Sequence, residues 1–513
     1  MIRSFATVSS GTLASRLLGF VRDSMVAALL GAGAVADAFL VAFQLVNVVR
    51  RLLTEGALNA ALVPAWLRQR DTNGAAAAAA FAGKLLGTVS AALVVATVLI
   101  ALVMPLVITA LAPGFAGSEA LAMAVDDARL MLPYLAFAGP VTVLMAVMNA
   151  QGRFALTAFS PLLFNVALIA VMAGLLLWRQ DAARAALILA GVVGFAGLLQ
   201  LTILIARQDE NSAAPLRVAF DAEMRSFFAR AIPGMVASSG PQLLMVAAAI
   251  IASGSPSAVS WLYFANRLIE LPLGLVGVAM GTVLVGELSR AVRSGDAAAV
   301  AHAESRALEL AAGLALPATL GLIVLAEPIV RLLFEHGAFT AGDTAATAQA
   351  LRWLALGLPA QVLFKALAPA FFARENTTTP LVSILKGIVF ALATSFLFGH
   401  FFGVAGVAAG IALGAWSSAL SLLREGATRF GFAIDAAARR RLPRIVAAAL
   451  VMAAALWLAP LARLHGLAQA AALLGLIGAG VGLYGLLLQL FGVTGWREAV
   501  NALRSRPSDL RGQ

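Results

Sequence analysis

Cysteine is absent from the 513-residue sequence, and charged residues make up only 12% of it. The absence of cysteine excludes disulfides, thiolate metal sites and cysteine nucleophiles. Hydrophobic residues reach 61%, and a soluble domain cannot hide that much apolar surface. There are four histidines, mostly near predicted loops, so no metal site is expected. The scarcity of charge and the high apolar content therefore favour an integral membrane protein.

Motifs for built-in energy conversion are also missing. No Gly-x-x-x-x-Gly-Lys-Ser/Thr loop occurs in the sequence, which excludes a P-loop ATPase in this chain. No cofactor is expected, so a step that requires energy would draw on the membrane potential, an ion gradient or downstream use of a product. The net charge of +11 does not indicate nucleic acid as a partner, because the arginines are scattered between apolar runs.

The sequence is instead rich in apolar runs of the length that crosses a ~30 Å hydrocarbon core. Such runs are helices, because backbone groups in lipid must pair within their own segment. The predicted fold class is an all-α integral membrane protein with 14 transmembrane helices. We place these helices at about 3–30, 35–66, 83–111, 124–150, 156–178, 185–206, 227–252, 257–288, 305–326, 345–372, 378–401, 404–423, 443–462 and 466–491.

An internal repeat organises these helices. The segment Ala42–Asn47 aligns with Ala265–Glu270, and further weak matches keep an offset of about 222 residues. An even number of helices separates the copies, so we predict two parallel six-helix lobes with the substrate site between them. The predicted domains are an N-lobe at 1–206, a C-lobe at 227–428, helices 13 and 14 at 439–492, and a basic cytoplasmic tail at 493–513.

The lysines and arginines of the loops predict the orientation. If the N-terminus is cytoplasmic, the cytoplasmic segments carry most of the loop cations and the outer loops carry few. The positive-inside rule then places both termini in the cytoplasm. The first helix contains Arg16 and Arg22, so we expect a retained helix rather than a signal peptide. The basic run at 439–441 with Arg444 is expected to anchor at anionic headgroups of the phospholipid bilayer.

Charge inside the predicted helices is the informative feature. An ionised side chain near the bilayer centre is costly, so it normally faces a cavity or a partner. Such residues concentrate in the first two helices of each predicted lobe. The candidate substrate-binding residues are Arg16, Arg22, Asp23, Asp37, Arg50, Arg51, Glu55, Arg267 and Glu270.

Helical spacing gives some of these residues a shared face. Asp37, Arg51 and Glu55 are separated by fourteen and four residues, which places them in one stripe. Arginines outnumber acids in the whole set, and this surplus indicates an anionic substrate. A planar guanidinium suits phosphate because it can bond two oxygens at once. The alternative is that Arg22–Asp23 and Arg51–Glu55 are structural ion pairs between helices.

Two stretches near the start carry a specific pattern. It reads Ser9-Ser10-x-Thr12-x-x-Ser15-Arg16-x-Leu18-Gly19-Phe20-x-Arg22-Asp23 and Gly31-Ala32-Gly33-x-x-x-Asp37-Ala38-Phe39-x-Val41-Ala42-Phe43-x-x-x-Asn47-x-x-Arg50-Arg51-x-x-x-Glu55-Gly56-Ala57. Later matches include Asn149–Phe154 and Tyr263-x-x-x-Arg267-Leu268-x-Glu270-x-Pro272. This pattern resembles the MurJ (MviN) family of flippases, and the resemblance extends over essentially the whole chain.

The resemblance implies a fold like that of the multidrug/oligosaccharidyl-lipid/polysaccharide exporter superfamily. It implies lipid II as the substrate, the bacterial inner membrane as the location and the peptidoglycan-synthesis machinery as a candidate partner. In that family, residues matching Arg16, Arg22, Arg50 and Arg267 line the central cavity, and the acid matching Asp37 is functional. Helices 13 and 14 are implied to form a groove for the lipid tail.

The leading hypothesis is a flippase that moves lipid II from the inner to the outer leaflet by alternating access, and not an enzyme. The first alternative is a cation-coupled exporter of drugs or of other lipid-linked oligosaccharides with the same fold. A drug exporter would favour an acidic or aromatic cavity, whereas the intramembrane set here is cationic. A membrane enzyme acting on prenyl diphosphates and a non-transporting scaffold are weaker alternatives. Residues 231–252 contain no acid, so a sodium site in helix 7 is not expected.

Overall fold

A computed structural model describes most of the chain. The described residues are 2–54, 57–207, 213, 215–274, 276, 297–372, 374, 376–432, 434–459 and 466–493. Within these ranges the regular structure is helical and no strand occurs. The all-α prediction is confirmed for this part of the chain.

The described residues form eighteen α-helices. In chain order they are α1 (Ile2–Leu30), α2 (Ala34–Thr54), α3 (Ala57–Leu102), α4 (Met104–Leu111), α5 (Glu119–Met131), α6 (Pro133–Ala150), α7 (Phe154–Leu177), α8 (Ala182–Ala206), α9 (Ala222–Ser238), α10 (Gly240–Ala252), α11 (258–274), α12 (Ala297–Val324), α13 (Ala326–Phe334), α14 (Ala341–Ala355), α15 (Leu358–Phe372), α16 (Thr378–Phe430), α17 (Ala436–Trp457) and α18 (Gly466–Leu490). A 3₁₀ turn at Pro113–Phe115 separates α4 from α5.

Eight helical segments of the described chain are long and apolar enough to cross a membrane. Large apolar side chains on these segments are exposed, including Val98 and Leu102 on α3 and Phe396 on α16. Exposed apolar side chains along a long helix are what a lipid-facing surface requires. The chain is therefore a multi-pass membrane protein, and the number fourteen stays a prediction.

Glycine interrupts the two longest helices. In α16, Gly403 has φ 57° and ψ −138°, so the residues before and after it form separate helical runs. This break lies between the predicted helices 11 and 12. In α3, Gly74 has φ 85° and ψ 175°. Only glycine adopts such angles readily, because it has no Cβ to collide with the backbone.

The hydrophilic segment at 68–82, between the predicted helices 35–66 and 83–111, contains the break at Gly74, and helical residues of α3 lie on both sides of it. Its run of alanines at 75–80 has the highest intrinsic helix propensity of any residue type, which favours this outcome. The predicted second helix, at 35–66, divides into α2, which ends at Thr54, and the start of α3.

The chain divides into two compact units. The first unit comprises Arg3–Tyr263 and Phe334–Asp343. One of its hydrophobic clusters packs α3 against α6, with Leu62, Leu85 and Val143 fully buried. Small side chains also let helices of this unit approach closely. This cluster fixes α3 as a rigid support within the first unit.

The second unit comprises Phe264–Leu333 and Thr344–Gln513. A cluster within it joins α12 to the predicted helices 13 and 14, which are α17 and α18. Ala448 and Met452 of α17 are buried there, and the Tyr484 hydroxyl of α18 donates a 2.8 Å hydrogen bond to the Gly313 carbonyl. Helices α17 and α18 therefore pack on α12 as part of the second unit.

The contact-based grouping differs from the predicted lobe boundaries. Helices α9 and α10, which the sequence assigns to the C-lobe, belong to the first unit. Contacts in one conformation do not decide which helices move together during transport. The predicted domains at 1–206, 227–428 and 439–492 therefore stay predictions, and the predicted tail at 493–513 lies outside the described residues apart from residue 493.

Candidate functional site

A buried ion pair on α1 forms the centre of the candidate site in the first unit. Arg22 is 7% exposed and Asp23 is 1% exposed. The Arg22 guanidinium donates to Asp23 Oδ1 from Nε at 2.9 Å and from Nη2 at 2.6 Å. A buried charge without a partner costs several kcal/mol, so this pairing explains how α1 can carry both residues inside an apolar bundle.

Helices α2 and α7 complete the surroundings of Arg22. Its Nη1 donates to Asn165 Oδ1 at 3.1 Å. Its guanidinium lies over the ring of Phe43, at 5.1 Å from the centroid, and over that of Phe164, at 5.8 Å. A cation over an aromatic face is stabilised by the ring quadrupole. Arg22 is thus held in one orientation by three helices.

The acid of the pair has a second donor. Tyr263 donates its hydroxyl to Asp23 Oδ1 at 3.3 Å. Asn165 is itself oriented by a 3.2 Å bond from its Nδ2 to the Ser15 carbonyl. The cavity beside Arg22 and Asp23 is only about 10 Å³, which is room for about one water molecule. In this conformation the pair is enclosed.

Asp37 lies at the start of another helix. Its carboxylate is buried, and it accepts hydrogen bonds from the backbone N–H of Ser260, at 2.8 Å, and from the Ser260 hydroxyl. Ser260 is in the first turn of α11, where backbone N–H groups have no helical partner. A carboxylate is also favoured at the positive end of a helix. Asp37 therefore joins α2 to α11.

The other predicted residues of the first unit lie on α1 and α2. Arg50 donates to Asn47 Oδ1 from Nε at 3.3 Å and from Nη2 at 3.2 Å, one helical turn away. Arg16 and Arg51 are partly buried. Glu55 lies outside the described residues, so the predicted pair Arg51–Glu55 stays a prediction.

Arg267 and Glu270 belong to the second unit, on α11. Arg267 Nη1 lies 2.7 Å from Glu270 Oε2, and both side chains are largely buried. Asn266 Nδ2 donates to Glu270 Oε1 at 3.4 Å. The two residues are three apart in the sequence, and such residues are neighbours on a helix.

The structure thus brings the predicted residues together as pairs. Arg22 contacts Asp23, and Arg267 contacts Glu270. The ion pair that was the structural alternative for Arg22 and Asp23 is present. The substrate-binding role of the nine residues stays a prediction. No group of three or more acidic or histidine side chains that could hold a metal ion occurs among the described residues.

Two contributors were missed by the reasoning from sequence. Asn165 and Ser260 lie far along the chain from the charged residues they contact. A signal was available for Asn165, because it is a lone amide inside the apolar run 156–178, where polar residues usually have a partner. No comparable signal marks Ser260, which is an ordinary residue near a helix start.

An apolar groove is present in the second unit. Its volume is about 850 Å³, and residues of α12, α14, α15, α16 and α17 line it. Leu320, Trp353, Phe398 and Trp416 form part of its wall, together with Leu450 of α17. No described residue of α18 is among its lining residues. The groove is wide enough for hydrocarbon.

The basic run at the start of α17 is only partly available to headgroups. Arg441 Nη1 lies 3.3 Å from Glu309 Oε2 of α12. Arg444 Nη1 donates to the Phe491 carbonyl at 2.9 Å. Arg439 and Arg440 are exposed. Two of these four arginines therefore hold α17 against its neighbours.

Comparison with known proteins adds the family. The family model described as "Lipid II flippase MurJ" matches residues 26–475. The "Probable lipid II flippase MurJ" of Rhizobium meliloti (strain 1021) is 38% identical over 501 residues, covering 94% of this chain and 92% of that protein. The "Lipid II flippase MurJ" of Burkholderia cenocepacia is 33% identical, covering 82% of this chain and 83% of that protein.

Solved structures share the fold. A structure described as "Lipid II flippase MurJ, inward closed conformation" superposes with a TM-score of 0.77 at 22% identity, covering 96% of this chain and 99% of that one. An inward-facing MATE family multidrug transporter of the MOP superfamily gives a TM-score of 0.67 at 14% identity, covering 84% and 95%. With a family match over most of its length, a buried arginine site and this fold, the chain belongs to the lipid II flippase MurJ family.

Proposed function

We propose that this protein flips lipid II from the inner to the outer leaflet of the bacterial cytoplasmic membrane. The observation that carries the proposal is the family match over residues 26–475. Just before this range, Arg22 is buried among helices of the first unit. An intramembrane ionisable residue of this kind is by default a functional residue. Flipping requires no bond to form or break, so the protein acts as a transporter and not as an enzyme.

The diphosphate of lipid II is the group that the arginines recognise. Arg22, Arg50 and Arg267 donate to its oxygens, because the planar guanidinium can bond two of them at once. In the enclosed conformation Asp23 occupies the donors of Arg22. A phosphate oxygen can replace that carboxylate because both are charged acceptors. Asp23 thus keeps Arg22 paired until substrate arrives.

Alternating access moves the headgroup. The proposed fold has 14 transmembrane helices, with two parallel six-helix lobes and two further helices, and the lobes rock to expose the headgroup on either side. The superposition on MATE family transporters supports a carrier fold of this type. The positive-inside pattern of the loops supports cytoplasmic termini.

The polyprenyl tail stays in hydrocarbon during the transfer. The apolar groove of about 850 Å³ in the second unit supports a tail site beside α17, because Val446, Ala449 and Leu450 of that helix line it. A tail in such a groove remains shielded from water while the headgroup crosses.

The membrane potential supplies the direction. The cytoplasm is negative, so an anion is driven outward by ~2.3 kcal/mol per charge per 100 mV. A diphosphate with about two charges therefore gains enough to bias a two-state carrier strongly. No acid is present at 231–252, so the proposal includes no sodium site of the helix 7 type.

The test is rescue of a flippase-depleted cell. Depletion should leave lipid II on the inner leaflet, inaccessible to an external probe, and this chain should restore access. Arg50→Ala should abolish the rescue, whereas Arg440→Ala, a change at an exposed arginine on α17, should not. Lipid II that reaches the outer leaflet equally well without the chain would overturn the proposal. Drug efflux by the chain, without lipid II rescue, would favour the exporter alternative that the MATE-like fold allows.

A further inference from the structure

An extended segment at residues 215–221 runs along α3 before α9 begins, and we call it the linker segment. Leu216, Val218 and Phe220 are 65%, 56% and 73% exposed. Ala219, between two of them, packs against the hydrophobic cluster of the first unit. Successive side chains of an extended chain point to opposite sides, so this alternation is expected. One side of the linker segment is thus apolar and uncovered.

Backbone bonds hold the linker segment in place. The Arg217 N–H donates to the Gly83 carbonyl at 3.4 Å, and the Ala219 N–H donates to the Thr88 hydroxyl at 3.0 Å. A Cβ on Gly83 would overlap the Pro215 carbonyl, so glycine is needed for this close approach. The apolar side chains are therefore presented from a fixed support rather than from a loose loop.

The end of the linker segment is also fixed. Asp221 Oδ1 accepts from the Met224 N–H at 3.0 Å, and Asp221 Oδ2 accepts from Lys84 Nζ at 2.9 Å. These two contacts lower the pKa of the Asp221 carboxyl, the backbone bond having the larger effect. The carboxylate therefore stays ionised and keeps both contacts at neutral pH.

The linker segment meets α3 in the first half of its second helical run, which follows the break at Gly74. Lys84 is the only charged residue between Gly74 and Glu119, and the polar residues at 68–73 lie just before the break. Of these, Arg68 and Arg70 are exposed. A polar-to-apolar change at the end of a membrane-spanning run marks the bilayer interface. Leu216, Val218 and Phe220 thus lie at the depth of lipid headgroups and upper acyl chains.

The exposed charge beside these side chains is positive. Lys84 contacts both Asp221 and Glu223, at 2.9 and 3.4 Å, so with Arg217 and Arg225 three cations stand against two acids. Arg217 and Arg225 are exposed. Cations beside an apolar surface favour anionic headgroups and shallow insertion. A cytosolic protein partner would need neither the interface depth nor this charge.

We propose that the linker segment is an interfacial anchor, in which Leu216, Val218 and Phe220 insert into a leaflet containing anionic phospholipid. Arg217 and Arg225 lie against its headgroups. In the proposed topology this is the cytoplasmic leaflet. The anchor holds the connection between α8 and α9 at the membrane, and it does not depend on lipid II transport.

Single-cysteine spin labelling tests the anchor, because the natural chain has no cysteine to remove. Val218→Cys and Phe220→Cys variants of the full chain carry a nitroxide in vesicles of phosphatidylcholine and phosphatidylglycerol. Ala76→Cys, exposed on the polar part of α3, is the water control, and Val98→Cys, exposed on its apolar part, is the lipid control. Both linker labels should be accessible to oxygen and several-fold less accessible to a water-soluble nickel complex than the label at 76.

Two results would overturn the anchor. Nickel access equal to that at residue 76 would place the linker segment in water. Low access to oxygen and nickel together would show that protein covers it. A second variant tests the headgroups by adding Arg217→Gln and Arg225→Gln to Phe220→Cys. The accessibility of its label to the nickel complex should rise several-fold. An unchanged accessibility would show that anionic headgroups do not hold the segment at this depth.

Discussion

Arg22 shows how a single charged residue can be both structural and functional. It is enclosed by Asp23, Asn165 and two aromatic rings, so its charge is fully compensated in this conformation. A guanidinium held this way is preorganised, with its orientation fixed before substrate arrives. It can also serve only to tie α1 to α7. Stability and transport measurements on the same variants separate these two roles.

The ion pair should respond very differently to the loss of one partner and to the loss of both. Asp23→Leu leaves Arg22 buried without its carboxylate, which should cost ~3–5 kcal/mol. Arg22→Met with Asp23→Leu removes both charges and should cost much less, because apolar side chains of similar size fill the same space. Thermal unfolding in detergent measures the two losses. A double variant less stable than the single variant would contradict this account.

Residue-level prediction from sequence found the charged positions but not all of their partners. Arg267 and Glu270 are three apart in the sequence and form an ion pair, since residues at this spacing are neighbours on a helix. Helical spacing could not link Arg22 to Asn165 or Asp37 to Ser260, because those contacts join helices distant in the chain. Periodicity gives the face of a helix, whereas the neighbour on that face depends on how the helices pack.

At the scale of the element, glycines decide where the longest helices end. Gly403 separates the two halves of α16, and its positive φ is the reason that the chain can reverse there. The sequence predicted a boundary between helices 11 and 12 at 401–404, where this break lies. It did not predict that helical residues continue up to Gly74 and resume directly after it, because polar residues and glycine obscure the high helix propensity of the alanines at 75–80.

Gly403→Ala should destabilise the protein. An L-residue at this φ and ψ costs ~1–3 kcal/mol in backbone strain. Gly321→Ala is the matched control, because Gly321 lies inside α12 with open space around its Cα, where alanine is neutral or favourable. The comparison of thermal midpoints checks this prediction, and equal midpoints for the two variants would refute it.

Thr88→Val should loosen the linker segment. The Thr88 hydroxyl accepts from the Ala219 N–H and lies 3.2 Å from the Ala219 carbonyl, and the loss of such bonds costs about 1 kcal/mol. Hydrogen exchange in a peptide covering 215–221 should become several-fold faster. Thr109→Val, whose hydroxyl bonds only the Pro105 carbonyl of its own helix, should leave this peptide unchanged. Equal exchange in both variants would show that Thr88 does not hold the segment.

At the scale of the whole molecule, few charges are retained among apolar helices. Charged residues amount to 12% of the chain, and among the described residues Arg22 pairs with Asp23 and Arg267 with Glu270. Composition and apolar runs of about 20 residues predicted a helical membrane protein, because a helix satisfies its backbone groups within one segment. The sequence predicts the arrangement of the two lobes less well than the fold class. An internal repeat indicates symmetry between two halves, but it does not say which conformation is populated.

A transmembrane voltage should set the distribution of lipid II across vesicles that contain the protein. For a headgroup with about two charges, 100 mV should favour the positive side by ~4–5 kcal/mol at equilibrium. Potassium gradients with valinomycin impose either polarity, and an external probe reads the accessible fraction. Reversal of polarity should reverse the preferred leaflet. A distribution that ignores polarity would remove the membrane potential as the driving force.

The most direct test is lipid II flipping by the purified chain in vesicles, compared with that of the Arg22→Met, Asp23→Leu double variant. The account predicts that the natural chain makes inner-leaflet lipid II accessible outside, whereas the double variant remains folded and flips at least tenfold more slowly, as expected from the loss of charge-assisted bonds worth ~1.5–3 kcal/mol. If the folded double variant flips lipid II at the natural rate, the claim that this buried guanidinium binds the diphosphate is contradicted.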